Sequence, residues 1–226
     1  MKLLLIEDEI DLQESIVNYL ASEGFMVESA GDFKCAEEKV SLYQYDCVIV
    51  DISLPDGNGL NIIRELKSND SDTGIIIISA KNSLTDKLTG LDIGADDYLT
   101  KPFHLSELNA RIKSIIRRRG LGGAKNIAFN EIKVDIDSRQ AYVNNNEVVL
   151  TRKEYDLLLY FIMNKNRVLS KEAIAEHLWG DNMSLTADSF DFIYTHIKNL
   201  RKKLIEKGSN DYVSTVYGIG YKFTDK

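Results

Sequence analysis

Four short apolar runs, at 2–6, 47–50, 74–78 and 97–100, are separated by stretches of helical periodicity, and each gives out at polar residues. Runs this short, continuous rather than alternating, describe strands buried on both faces, as in a parallel sheet covered by helices. Glu7 and Asp8 follow the first run, Asp51 the second, Ser79 the third and Lys101 the fourth. In open parallel sheets the functional crevice lies beyond the carboxyl ends of the strands, at a topological switch point. The expected fold is therefore α/β, a doubly wound five-stranded parallel sheet, with helices near 11–23, 33–43, 60–68, 83–91 and 105–118. Three carboxylates, a hydroxyl and an amine would meet at one edge of that sheet.

The last of these helices runs into Gly120-Leu121-Gly122-Gly123, where glycines stop a helix and supply a connection. The expected organisation is a domain over 1–118, a linker over 119–126 and a second domain over 127–226, within reach of a 226-residue chain. Charge divides at the same place: residues 1–119 carry 13 Lys/Arg against 21 Asp/Glu, and residues 120–226 carry 15 against 14. An acidic half joined to a nearly neutral half suggests two different tasks. From 127 to 149, apolar and polar residues alternate around turn signals at Asp137-Ser138 and Asn144-Asn145-Asn146, the pattern of a small antiparallel sheet. Thr151 and Glu154 form a capping box before an apolar helix at 155–163. A second helix at 171–179 follows Ser170, a third spans about 188–207, and Gly218-Ile219-Gly220 turns a closing hairpin. Three helices and a hairpin are the layout of a winged helix-turn-helix, an α+β domain.

No apolar run approaches the roughly 20 residues that span a bilayer, and the first run is too short for a signal-peptide core, so no membrane partner is expected. Cys35 and Cys47 lack metal-ligand spacing and fit reduced thiols in a cytoplasmic protein.

Glu7, Asp8 and Asp51, if they converge, repel strongly, and a bound cation or a proton relieves such a conflict. A small divalent ion with few oxygen ligands, meeting a phosphate, describes Mg²⁺. Lys101 suits a point charge on a phosphoryl oxygen and Ser79 a hydroxyl donor. Asp51, before the open loop Ile52-Ser53-Leu54-Pro55-Asp56-Gly57, is the candidate nucleophile. Three other readings stay open: carboxylates that only cap helices, a small metal-dependent phosphatase using Asp51, and a constitutive DNA-binding dimer.

These residues carry a resemblance. Glu7-Asp8, Asp51-x-x-Leu54-Pro55-x-x-x-Gly59, Ser79-Ala80 and Gly94-Ala95-Asp96-Asp97-Tyr98-x-x-Lys101-Pro102-Phe103 resemble the receiver domain of two-component response regulators, over essentially all of 1–118. The resemblance implies a flavodoxin-like fold and phosphorylation of Asp51 by the phosphohistidine of a sensor histidine kinase. It implies Mg²⁺ on Asp8, Asp51 and the main-chain carbonyl of Ser53, with Glu7 assisting. Lys101 and Ser79 would contact the phosphoryl group, Lys101-Pro102 would be cis, and the domain would assist its own dephosphorylation. Ser79 turning toward the phosphoryl group would open space for Tyr98, the second switch residue. Lys87, Asp96, Asp97, Glu107, Arg111 and Lys113 match the charged set that the OmpR/PhoB subfamily pairs across a homodimer: Lys87 with Glu107, Asp97 with Arg111, Asp96 with Lys113.

In the second half, Ile193, Ile197, Leu200 and Leu204 form a core stripe, with Lys198, Asn199, Arg201 and Lys202 around the polar side. As the third helix of a winged helix-turn-helix this reads as the recognition helix on double-stranded DNA, its cations on phosphates, and His196 and Asn199 at base edges. Thr215, Tyr217 and Tyr221 would lie on the wing. Leu150-Thr151-x-x-Glu154-Tyr155, His196-Ile197-x-x-Leu200-Arg201-x-Lys203-Leu204 and Thr215-Val216-x-Gly218-x-Gly220-Tyr221-x-Phe223 resemble the OmpR/PhoB effector domain. That resemblance implies a phosphorylation-activated transcription regulator acting with RNA polymerase. Asp191 and Tyr217 depart from it, each standing where the family commonly has a DNA-contacting arginine.

Overall fold

The computed structural model describes residues 1–68, 73–81, 84–121, 126–180 and 190–225. The chain divides into two compact units, Lys2–Gly123 and Ala124–Lys226.

The first unit runs β1 (Lys2–Ile6), α1 (Ile10–Ser22), β2 (Met26–Ala30), α2 (Phe33–Leu42), β3 (Cys47–Asp51), the two-residue strands β4 (Ser53–Leu54) and β5 (Gly57–Asn58), α3 (Gly59–Ser68), β6 (Gly74–Ser79), α4 (Leu84–Asp92), β7 (Asp97–Thr100) and α5 (Leu105–Leu121). Five strands form one sheet in the order β2-β1-β3-β6-β7, every neighbouring pair parallel. This is the doubly wound, flavodoxin-like arrangement, and its winding reverses between β1 and β3. The expected apolar runs are its interior strands: Leu3–Ile6, Cys47–Val50 and Ile75–Ile78 are wholly buried. Leu4, Ile6, Val48, Val50, Ile75 and Ile77 share one core cluster with Ile62, Ile63 and Leu66 of α3. On the other side α5 packs against β3, β6 and β7. β2 carries no continuous apolar run; as an edge strand with three of its five residues partly exposed, it needs none.

The helices lie within a few residues of their expected limits. Position 83, the expected start of the fourth, falls outside the described residues. α5 continues past 118 to Leu121, so its last turn occupies the start of the stretch expected to be linker. A glycine at position 120 costs helix propensity, but Arg119 donates to both oxygens of Asp96 at 2.8 Å and ties that turn to the start of β7.

The second unit runs β8 (Asn126–Phe129), β9 (Ile132–Asp135), β10 (Gln140–Val143), β11 (Asn146–Val148), α6 (Arg152–Met163), β12 (Val168–Ser170), α7 (Lys171–Trp179), α8 (Asp191–Glu206), β13 (Val213–Val216) and β14 (Gly220–Phe223). The first four strands form an antiparallel sheet, β11-β10-β9-β8. Asn144 and Asn145 turn its last hairpin at φ 51° and 65°, left-handed values that asparagine tolerates. The capping box is formed: Glu154 N donates to Thr151 Oγ1 at 3.4 Å and Thr151 N to Glu154 Oε2 at 2.7 Å. Ser170 caps α7 by accepting from Ala173 N at 3.1 Å. The expected start of α8 at 188 lies outside the described residues. One strand was not anticipated: β12 pairs antiparallel with β14, making the closing hairpin a three-stranded sheet. Gly220 permits this, since a Cβ there would stand 2.0 Å from the Leu169 carbonyl oxygen. Trp179 lies in an aromatic cluster with Phe192 at 4.8 Å and His196 at 5.4 Å.

Candidate functional site

β1 ends at Glu7-Asp8 and β3 at Asp51, adjacent strands on either side of the switch point. Each of the three carboxylates offers an oxygen within 4.8 Å of the others. Lys101, just beyond β7, reaches across: its Nζ donates to Glu7 Oε1 at 2.8 Å and to Asp51 Oδ2 at 2.6 Å. Asp51 Oδ1 accepts from Ser53 N at 3.0 Å, so both oxygens of that carboxylate are held. Glu7 is 0% exposed, Asp51 is buried and Asp8 faces solvent. Burial lifts the Glu7 carboxyl above its ordinary range against the pull of Lys101, and the Asp51 charge adds to the lift. Burial opposes the charge on Lys101, but its hydrogen bonds to Asp51 and Glu7 prevail and hold the ammonium above the usual lysine range. Gly59 opens α3 directly over the site, where a Cβ would meet the Asp51 carbonyl oxygen at 2.0 Å. The Lys101-Pro102 peptide is cis.

Ser79 ends β6, wholly buried, and its Oγ accepts from Lys81 N at 3.1 Å. Tyr98, on neighbouring β7, is buried, and its hydroxyl donates to Lys81 O at 2.8 Å. Both switch candidates therefore hold the same residue, Lys81, one by its N–H and the other by its carbonyl. No local pattern marked Lys81, because its part is played by main-chain atoms.

Among the six charged residues assigned to a dimer face, Asp96, Asp97, Glu107, Arg111 and Lys113 have partners within the chain, and Asp97 pairs with Arg111 inside it. Arg111 donates to Asp97 at 2.6 Å and to Glu107 at 2.7 Å within the chain. Asp96 takes Arg119 and also accepts from Ile75 N at 2.8 Å, while Lys113 reaches Glu23 at 3.3 Å. Lys87 stands on α4, partly buried. Arg119 and Glu23 were not anticipated; one lies beyond the helix end read from the glycines, the other at the far end of α1.

In the second unit α8 buries Ile193, Ile197, Leu200 and Leu204 and exposes Lys198, Asn199 and Lys202. Asp191 opens the helix, a position where an acid suits the helix dipole. A groove between α8 and the β13–β14 hairpin is lined by Tyr194, Ile197, Lys198, Arg201, Thr215 and Tyr221. Two expectations change here. Tyr221, expected to meet DNA from the wing, is only 5% exposed and lines the groove, because it shares the inner face of β14 with buried Phe223. Arg201 is not a free cation: its Nε donates to Asp211 Oδ1 at 3.0 Å and its Nη2 to Oδ2. His196 is half-buried against Trp179. Thr215 is exposed, and Tyr217 stands at the hairpin tip, 93% exposed.

Residues 3–113 match the response regulator receiver domain family, and residues 145–223 match the family of C-terminal domains of transcriptional regulatory proteins. Response regulator ArlR of Staphylococcus haemolyticus is 38% identical over 219 residues, covering 97% of each chain. Its counterpart in Staphylococcus aureus is 39% identical over 220 residues, covering 97% of this chain and 98% of that one. Among solved structures, the receiver domain of a Francisella response regulator is 32% identical, covers 52% of this chain and 97% of its own, and superposes with a TM-score of 0.50. No helix among the described residues is long and apolar enough to cross a membrane. Both halves and their order are matched along nearly the whole length of the two ArlR relatives, and the chain belongs to the DNA-binding response regulators of two-component systems, of the OmpR/PhoB type.

Proposed function

We propose that Asp51 accepts a phosphoryl group from the phosphohistidine of a sensor histidine kinase, and that this modification sets dimerisation and DNA binding. The observation that carries the reading is the Glu7–Asp8–Asp51 cluster at the switch point, bridged by Lys101. An Asp51 oxygen attacks phosphorus, the bond from phosphorus to the kinase histidine nitrogen breaks, and the histidine leaves with the electron pair and takes up a proton. Lys101, preset at 2.6 Å from Asp51, carries a fixed positive charge to the incoming phosphoryl oxygens. Ser79 offers its hydroxyl to the same group. The donor set fits a small hard cation: Glu7, Asp8 and Asp51 offer oxygens within 4.8 Å of one another, and Asp8 is exposed. Glu7, Asp8, Asp51 and the main-chain carbonyl of Ser53 would hold Mg²⁺, which when bound neutralises charge on the phosphoryl oxygens. Water attacking the same phosphorus returns Asp51 to its free state, a self-assisted dephosphorylation.

Ser79 moving toward the phosphoryl group gives up Lys81 N, and the Lys81 segment then releases its hold on the Tyr98 hydroxyl. Such a switch is a population shift driven by contacts that differ between two states. In the activated state Arg111, Asp97 and Glu107 exchange intrachain partners for those of a second subunit, joined by Lys87, Asp96 and Lys113. The second unit binds double-stranded DNA through Lys198, Asn199, Lys202 and Arg201, with His196, Thr215 and Tyr217 at the margins, and acts on RNA polymerase in the cytoplasm.

The test is intact-mass detection of a phosphoryl adduct after incubation with acetyl phosphate and Mg²⁺. Wild type is expected to gain the adduct and Asp51→Asn to gain none. An adduct retained by Asp51→Asn, or none in wild type, would overturn the assignment.

A further inference from the structure

We infer that Asp211 is a positioning residue for DNA binding, one that fixes the direction of the Arg201 guanidinium and so favours one docking register over arbitrary phosphate contacts. This rests on the reading of α8 as the DNA-facing helix. Two-point pairing through Nε and Nη2 uses two of the five guanidinium N–H groups and leaves three on a group that lines the groove beside Lys198 and Thr215.

Asp211 is itself anchored from both sides. Asn210 N donates to Glu131 Oε1 at 2.7 Å, and the Tyr212 hydroxyl donates to Glu131 Oε2 at 2.7 Å. Asn130 Nδ2 donates to the same hydroxyl at 3.1 Å, and the Tyr212 ring meets Phe129 edge-on at 4.9 Å. Burial pushes the Glu131 carboxyl up, but the Tyr212 and Asn210 hydrogen bonds outweigh it and keep the group below its ordinary range. A continuous set of hydrogen bonds thus runs from the β8–β9 turn, through residues 210–212, to a cation on α8.

An ion pair between half-exposed side chains adds little stability, and an acid on a DNA-facing surface weakens attraction to phosphates. What this pair adds is direction. A free arginine reaches whichever phosphate is nearest. A guanidinium clamped by an anchored carboxylate reaches only a phosphate that the docked helix brings to it.

The experiment uses the full chain and fluorescence anisotropy across a salt series. The probes are a mixed-sequence duplex and a duplex that wild type selects from a random-sequence pool. Asp211→Asn is compared with Asp225→Asn, which changes net charge equally. Asp211→Asn is expected to bind the mixed-sequence duplex about 3- to 10-fold tighter, with a log–log salt slope steeper by about 0.9, one further phosphate contact. Affinity for the selected duplex is expected not to rise in step, so the ratio of the two falls. Asp211→Glu, which keeps the carboxylate, is expected to restore the ratio, and in an Arg201→Ala background Asp211→Asn is expected to do no more than the charge-matched Asp225→Asn. An Asp211→Asn variant indistinguishable from Asp225→Asn overturns the inference, as does an effect beyond that of Asp225→Asn that survives Arg201→Ala. Lys198→Ala separates the levels. A salt slope unchanged by Lys198→Ala removes the DNA-facing reading of α8 and the inference with it. A reduced slope alongside an inert Asp211→Asn removes the inference alone.

Discussion

Lys101→Met removes the ammonium that lies 2.8 Å from Glu7 Oε1 and 2.6 Å from Asp51 Oδ2. Carboxylate oxygens within 4.8 Å of one another are then left without that cation. At an effective dielectric near 20 each such pair repels by about 3.5 kcal/mol, and removing one partner of a buried pair typically costs about 3–5 kcal/mol. Proton uptake relieves part of this, because burial already lifts the Glu7 carboxyl above its ordinary range. An acid whose pKa is raised by folding stabilises the fold in its protonated form, so its contribution is present at low pH and fades as pH rises through the folded value. The expected loss is therefore about 3 kcal/mol at pH 8 and becomes smaller as the pH is lowered. Magnesium chloride is expected to recover more stability in the variant than in wild type, since a cation that binds the folded site shifts unfolding by mass action. Urea unfolding followed by far-UV circular dichroism measures this in the full chain. Trp179, the single tryptophan, lies in the second unit, so its fluorescence reports whether the loss is confined to the first. A variant as stable as wild type at pH 8, or one that weakens further on acidification, would refute the electrostatic coupling.

Two further outcomes concern backbone approach and the second unit. Gly59→Ala is expected to cost at least about 3 kcal/mol in thermal unfolding, because its Cβ would stand 2.0 Å from the Asp51 carbonyl; Gly31→Ala, whose Cβ would meet nothing nearer than 3.9 Å, is expected to change stability by less than about 0.5 kcal/mol. In the second unit burial pushes the Glu154 carboxyl up, but hydrogen bonds from Lys203 and Thr151 hold it below its ordinary range. A depressed acid stabilises above its ordinary range and loses that contribution as pH falls through the folded value, so Lys203→Met is expected to move the acid unfolding edge of Trp179 fluorescence to higher pH. An unmoved edge would count against that pairing.

Much of the fold could be read from short-range pattern. The interior strands β1, β3 and β6 are continuous apolar runs because both their faces are covered, and burial of that kind leaves its mark residue by residue. The capping box at Thr151–Glu154 and the cap at Ser170 are contacts over three residues, so their signals lie within one turn. β2 and β12 left weaker marks: one is an edge strand, and the other is a three-residue pairing beside a helix start. The acidic edge was legible for a related reason, since strand ends in a parallel sheet are set by where the apolar runs stop.

Which charged group meets which was decided only by the tertiary structure. Arg111, Asp96 and Lys113 each had several oppositely charged residues at reach in principle, and their partners Asp97, Arg119 and Glu23 follow from how α1, α5 and β7 are placed. The same holds for Glu131, which is 79 residues from Asn210, and for the turn of Tyr221 into the groove. Hydrophobic periodicity and capping act over a few residues and are written in the order of the chain. Ion pairing falls off with distance in space and is indifferent to sequence separation, so its choices emerge only once the elements have docked.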